Sequence, residues 1–153
     1  MKSIQEWLDE YAESHQNATN KLIHYICVPA IFFSITGLLY TVVTPLKLSG
    51  VPITLAHIVI LLVLIYYMRL SAPLSIGMLF FCVFCLTLCN AITMVGIKLW
   101  IVSVVVFVTA WIGQFIGHHI EGKKPSFLKD IQFLMIGPAW IMHKIYLKFG
   151  IGV

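Results

Sequence analysis

Long apolar runs separated by short polar segments dominate the chain. The runs cover residues 22–43, 53–68, 74–95 and 99–116. A helix needs about 20 apolar residues to cross roughly 30 Å of hydrocarbon, so the runs predict four transmembrane helices, the second somewhat short. The pattern therefore predicts an all-α fold, an integral membrane helical bundle in which residues 1–153 form a single domain.

Shorter elements are expected around these spans. Ser3 and Glu6 have the spacing of a capping box, and apolar residues recur at helical spacing after it, so residues 3–13 predict an amphipathic helix on the membrane surface. The last apolar run, residues 131–142, is only about twelve residues long and contains Gly137 and Pro138. It predicts a re-entrant or interfacial helix. Residues 44–50 are expected to form a turn.

Composition agrees with a membrane location. Hydrophobic residues make up 60% of the chain and charged residues 10%, with a mean hydropathy of +0.97. A soluble domain of this size needs more polar residues to cover its surface. The net charge of +4 comes with no basic patch of the kind that binds nucleic acid. Four cysteines lie in apolar runs, where structural disulfides are not expected.

The basic residues predict an orientation. If four helices cross and the N-terminus is cytoplasmic, only Lys47 and Lys98 of the ten basic residues lie outside. Both chain ends are then cytoplasmic. We expect the protein to lie in a bacterial inner membrane, or in the endoplasmic reticulum membrane if the organism is a eukaryote. The oligomeric state is left open.

This orientation brings distant histidines to one side of the membrane. His15 precedes the first span, His24 lies at its start, and His118 lies at the end of the fourth helix. Neutral imidazoles are common ligands of iron, zinc and copper, and three of them leave open metal positions for a substrate and dioxygen. Asn20 and Gln114 share the helix faces of His24 and His118, so they are expected to orient the rings.

Other interpretations stay open at this stage. Interfacial histidines and asparagines often serve only as helix caps. His119 lies about 100° around the helix from His118 and is expected to hydrogen-bond at the interface. Three roles stay open for Glu121: a metal ligand, a base that contacts the ligands and not the metal, or a solvated acid at the helix end. His143 is a weaker ligand candidate, and the clustered cysteines are expected to pack.

The motifs that contain these residues resemble one family. His15, Asn20 and His24, followed by Cys27-Val28-Pro29, are its first motif. The second is Trp111-Ile-Gly-Gln114-Phe-Ile-Gly117-His118, followed by Glu121 and Lys124-Pro125. The chain resembles the 2-hydroxy fatty acid dioxygenase family, a small membrane family formerly catalogued as domain of unknown function 962. The resemblance covers essentially the whole chain.

The resemblance implies an enzyme that uses Fe(2+) and dioxygen to remove one carbon from a long-chain 2-hydroxy fatty acid. It implies that His15, His24 and His118 bind the iron, with Glu121 as a further catalytic residue. Two other classes stay open. One is a different metalloenzyme acting on lipids, such as a hydroxylase or a zinc hydrolase. The other is a membrane scaffold or lipid-binding protein without catalysis.

Overall fold

The computed structural model describes residues 3–122 and 127–152, with the side chains of residues 127–132 left aside. Helices make up most of this part of the chain, and one two-stranded antiparallel sheet interrupts them. The elements in chain order are α1 (Ile4–Glu13), α2 (Ala18–Tyr40), β1 (Val43–Leu48), β2 (Val51–Thr54), α3 (Leu55–Leu70), α4 (Ala72–Met94), α5 (Leu99–Glu121) and α6 (Phe127–Lys148).

The N-terminal helix begins at the predicted capping box. The Ser3 backbone N–H donates to Glu6 Oε2 at 2.6 Å, and the Glu6 N–H donates to Ser3 Oγ at 3.3 Å. The expected helix over residues 3–13 is therefore confirmed as α1. Its apolar side chains Leu8 and Tyr11 are buried against Trp140 of α6, so α1 is held by the protein itself.

Within the described residues, three helices are long and apolar enough to cross a membrane: α2, α4 and α5, each of 23 residues. Helix α3 has 16 residues and rises about 24 Å, less than the roughly 30 Å of a hydrocarbon core. The expected long apolar helices are confirmed for these three, which are candidate membrane spans. A fourth crossing by α3 stays a prediction.

The loop between α2 and α3 differs from the expected turn. Strands β1 and β2 pair as an antiparallel hairpin, with Leu48 opposite Val51. Ser49 and Gly50 form its tip with φ values of 49° and 83°, the left-handed pair that suits the twist of a tight hairpin. The expectation of a purely helical fold is wrong here, because two short β-forming segments flank this tip.

The last helix is longer than its apolar run. Residues 131–142 predicted a short element, whereas α6 has 22 residues and contains Pro138 within it. Apolarity marks only the central part of the helix. His143 and Lys144 end the unbroken apolar run, but the helix continues past them through Tyr146 and Leu147. Its re-entrant or interfacial position stays a prediction.

Small residues bring α2 and α5 into close contact along their lengths. A Cβ added at Gly113 would lie 2.6 Å from Cys27 Sγ, and one added at Gly117 would overlap the side chain of Asn20. Since positions later in α5 meet positions earlier in α2, the two helices are antiparallel. Glycines spaced four apart are typical of such close helix contacts in membranes. The packing places the start of α2 beside the end of α5.

A separate core lies between α2, α3, α4 and α6. Tyr67, Met78, Cys82 and Cys85 are all fully buried in it. Cys89 is also buried, and all four cysteines are free thiols. The expectation that the three clustered cysteines pack in the interior is confirmed.

Candidate metal centre

Three histidines meet where α2 begins and α5 ends. The ring centroids of His15 and His24 are 4.2 Å apart, those of His24 and His118 are 5.1 Å apart, and those of His15 and His118 are 6.0 Å apart. His15 and His24 are almost fully buried, with exposures of 2% and 1%, and His118 is half-buried. Residues about a hundred positions apart therefore form one cluster, as the predicted orientation of the helices requires.

Backbone carbonyls orient two of these rings. The Nδ1 atom of His15 lies 2.6 Å from the carbonyl oxygen of Tyr11, and that of His24 lies 2.9 Å from the carbonyl oxygen of Asn20. A carbonyl oxygen only accepts, so each Nδ1 carries the proton that it donates. In a neutral ring, Nε2 is then the nitrogen with the lone pair. A second partner that fixes the tautomer in this way is typical of metal-binding histidines.

Glu121 ties the end of α5 to the segment between α1 and α2. Its Oε1 accepts the Gln16 N–H at 2.7 Å, and its Oε2 accepts the Asn17 N–H at 3.0 Å. The Asn20 side-chain amide donates to the same Oε2 at 2.9 Å. These bonds hold the segment that follows His15 against α5. The carboxylate thus sits beside the cluster with both oxygens engaged by N–H donors.

The beginning of α2 is held by asparagines. Asn17 caps the helix, because its Oδ1 accepts the N–H groups of Thr19 and Asn20 at 2.8 and 3.3 Å. Asn20 is completely buried. Its Oδ1 has no hydrogen-bond partner among the described residues and faces the bare backbone of Gly117. A buried acceptor without a partner costs free energy, so its presence beside the histidines calls for an explanation.

The donor set suits a divalent transition metal. Three imidazoles, two of them with Nε2 as the unprotonated nitrogen, offer ligands that iron, zinc and copper accept. In the described part of the chain, however, no group of three or more His, Cys, Asp or Glu residues is arranged to hold a metal ion as it stands. Binding one metal ion through all three rings would therefore require these side chains to move from the positions described.

The other predicted residues occupy different positions. Gln114 is buried, with 6% exposure, four residues before His118 on the inner face of α5. His119 is exposed. His143 lies on α6 near Asp9 and Lys144, and burial together with the charge of Lys144 lowers its pKa. The roles of Gln114 and His119 remain predictions.

Two aromatic residues of the site were missed by the sequence reasoning. The ring of Tyr11 stacks on His15 at 4.1 Å and 10°, and Trp140 of α6 approaches the same ring at 5.8 Å. Tyr11 precedes His15 by four residues, a spacing that could have indicated the contact. Trp140 gave no local signal, because it lies 125 positions away in the chain.

The fold and the site define a small helical membrane protein with a buried histidine cluster at one end of its bundle. The family model described as "2-hydroxy-palmitic acid dioxygenase Mpo1-like" matches residues 1–149. The chain therefore belongs to the Mpo1-like family, and the resemblance seen in the sequence motifs is confirmed.

One curated relative matches nearly the whole chain. It is the 2-hydroxy-palmitic acid dioxygenase MPO1 of Saccharomyces cerevisiae, 27% identical over 164 aligned positions. The alignment covers 96% of this chain and 82% of the yeast protein. No solved structure matches significantly.

Proposed function

We propose that this protein is an iron(II)-dependent dioxygenase that shortens long-chain 2-hydroxy fatty acids by one carbon. Membership of the Mpo1-like family and the name of the yeast relative support the substrate class and the use of dioxygen. The observation that carries the proposal is the buried cluster of His15, His24 and His118. Caps or interfacial groups have no reason to bring three imidazoles from three segments together.

His15, His24 and His118 would hold the iron through ring nitrogens. When bound, iron(II) would supply the centre at which dioxygen is reduced and the C1–C2 bond of the 2-hydroxy acid is cleaved, so that C1 leaves as carbon dioxide and the shortened acid and water are the other products. The carbonyls of Tyr11 and Asn20 keep the Nδ1 protons of His15 and His24 turned away from the metal.

Glu121 acts as a positioning residue in this proposal. Its carboxylate binds the backbone of the segment that carries His15 and the amide of Asn20, whose carbonyl orients His24. It thereby couples two of the three ligands to the end of α5. This arrangement favours support of the ligands over the alternatives in which Glu121 binds the metal or is merely solvated.

A membrane location suits the substrate. The carboxylate of a long-chain acid lies at the bilayer surface and its tail lies in hydrocarbon, and the histidines lie at the ends of α2 and α5. We place this end on the cytoplasmic side, where the predicted excess of basic residues would attract the acid.

Product analysis tests the function. Protein loaded anaerobically with iron(II) is given a 2-hydroxy acid and dioxygen, and the products are identified by mass spectrometry. We expect a fatty acid one carbon shorter from the wild type, and none from His24→Ala or His118→Ala. His119→Ala is the matched control, because its side chain is exposed, and it should retain the activity.

A second readout separates metal binding from turnover. Iron(II) that binds only the folded state should raise the thermal midpoint of the wild type. At a free iron concentration one hundred times Kd, the free energy of unfolding should rise by about 2.7 kcal/mol. His24→Ala should lose this gain. A gain with zinc and hydrolysis of a lipid ester would favour a zinc hydrolase, and no bound metal at all would favour a scaffold.

A further inference from the structure

An apolar cavity lies deeper in the bundle, between α2, α3 and α6. We call it the distal cavity. Its lining from α2 comprises Phe32, Ile35, Thr36 and Leu39, and its volume is about 50 Å³. This is room for several water-sized groups, since a single water needs roughly 10–15 Å³ by the same kind of measure.

Nothing among the described lining residues would hold water there. The only polar side chain that they contribute is that of Thr36, and its hydroxyl donates to the carbonyl oxygen of Phe32 at 2.9 Å. The remaining lining residues are hydrophobic, among them Ala56 of α3 and Met135 of α6. Buried water requires two to four polar partners, whereas apolar cavities stay dry and accept apolar ligands. The chemistry of the distal cavity is that of a hydrocarbon site.

The distal cavity and the histidine cluster share one face of α2. Ile35 and Leu39 follow His24 by 11 and 15 residues, spacings that return to the same side of a helix. Val28 and Ile31 lie on this face between them, and both are buried. A continuous apolar stripe therefore leads from the candidate metal centre to the distal cavity.

The distance along this stripe fits one long acyl tail. Phe32 lies eight residues beyond His24 and Leu39 fifteen, which corresponds to about 12 and 22 Å along the helix axis. The hydrocarbon core is about 30 Å thick and two tails deep, so one tail extends roughly 15 Å. A tail whose head group lies at the histidines would therefore end among the residues that line the distal cavity.

We propose that the distal cavity receives the terminal methylenes of the substrate's acyl tail and sets the preferred chain length. The inference rests on the proposed function for the identity of the head group. On the way to the cavity the tail must pass Val28, where α2 packs closely on α6 because Gly137 has no side chain. A Cβ there would lie 3.0 Å from Val28 Cγ1, so the tail enters only if these side chains part. Met135 is the flexible lining residue that adjusts to the tail end.

Two substitutions change the distal cavity in opposite directions. Ala56→Leu fills it and should shift the preferred 2-hydroxy acid to a shorter tail, with a loss of about fourfold in affinity for each methylene excluded. Leu39→Ala enlarges it and should shift the preference to a longer tail. A general loss of packing would not produce opposite shifts.

Matched controls lie on the exposed surface of the same bundle. Ala91→Leu on α4 and Leu61→Ala on α3 repeat the two chemical changes at exposed positions. Equilibrium binding of 2-hydroxy acids that differ by two carbons is measured for the full protein in lipid nanodiscs, by displacement of a fluorescent fatty acid. Turnover is recorded in parallel, and the controls should keep the wild-type chain-length profile.

The outcomes separate this inference from the proposed function. Opposite shifts in the two cavity variants support the tail site, even if no variant turns over substrate, in which case only the dioxygenase assignment fails. If Ala56→Leu does not fold, the shift in Leu39→Ala alone decides. An unchanged chain-length profile in every folded variant, or no binding by the wild type, overturns the tail site and leaves bilayer lipid or imperfect packing as the reason for the cavity.

Discussion

Hydrogen bonds to the carbonyls of Tyr11 and Asn20 fix which ring nitrogen of His15 and of His24 carries the proton. The sequence predicted which histidines meet, because a span of known length and the distribution of lysines place their positions at one membrane face. It did not predict what orients them. Every residue has a backbone carbonyl, so only the ring torsion decides which one a histidine binds. The asparagine predicted to orient His24 does so through its main chain.

Glu121 provides a test at the residue scale. Glu121→Gln replaces one charged acceptor oxygen by an NH₂ group that faces N–H donors, so bonds from residues 16, 17 and 20 are weakened. We expect a loss of about 1–2 kcal/mol in the free energy of unfolding without metal, measured by thermal or denaturant unfolding in nanodiscs. His119→Ala, an exposed neighbour, should leave the unfolding free energy unchanged.

The same variant distinguishes the three roles that the sequence left open for Glu121. A positioning residue predicts loss of metal-free stability together with weaker iron binding. A metal ligand predicts weaker iron binding with metal-free stability intact, and this result would contradict the positioning role. A solvated acid predicts no change in either quantity.

Helices α2 and α5 depend on the small residues between them. The sequence contains Gly113 and Gly117 at the spacing of a close helix contact. The partner positions Cys27 and Asn20 emerge only in the structure, because the register of two distant helices is not encoded locally. The hairpin between α2 and α3 was missed for a different reason. It is local in sequence, but residues 44–50 were assigned wholly to a turn and the short segments beside the Ser49-Gly50 tip were not recognised as strands.

Gly117→Ala tests this contact at the element scale. The added Cβ would overlap Asn20 Oδ1 and lie 3.3 Å from the His24 ring, while the Asn20 amide is tied to Glu121. We expect a loss of about 1–3 kcal/mol in the free energy of unfolding and reduced iron binding, because α2 and α5 must separate. Gly152→Ala is the matched control, since a Cβ there meets no atom within 4 Å. Wild-type stability and iron affinity in Gly117→Ala would show that the contact is not required.

The order and directions of the helices agree with a layout in which both ends of the chain lie on one side of the membrane. Helices α2 and α5 are antiparallel, and the segment between them contains α3 and α4. If α2, α4 and α5 all cross the membrane, α2 and α5 can be antiparallel only when α3 crosses it as well. This layout therefore requires α3 to span despite its 16 residues. The three longer spans were predictable from apolarity and length, whereas the status of α3 depends on how the bilayer adapts to a short helix.

Labelling with a membrane-impermeant thiol reagent tests this topology. Ser3→Cys and Gly152→Cys should react only when the cytoplasmic side is accessible, and Ser49→Cys at the hairpin tip only from the opposite side. The unsubstituted protein measures the background from its four cysteines, three of them buried. Labelling of Ser3→Cys and Ser49→Cys from the same side would contradict α2 as a span. Labelling of the two termini from opposite sides would contradict the four-span layout.

Dioxygen uptake is the most direct test of the central claim, that the histidine cluster is the iron centre of a 2-hydroxy fatty acid dioxygenase. Purified protein loaded anaerobically with iron(II) is given a long-chain 2-hydroxy acid or its unhydroxylated parent, for the wild type and His118→Ala. We predict uptake that requires the hydroxyl group, the iron and His118. Uptake that is unaffected by His118→Ala, or the absence of both uptake and bound metal in the wild type, would contradict the account.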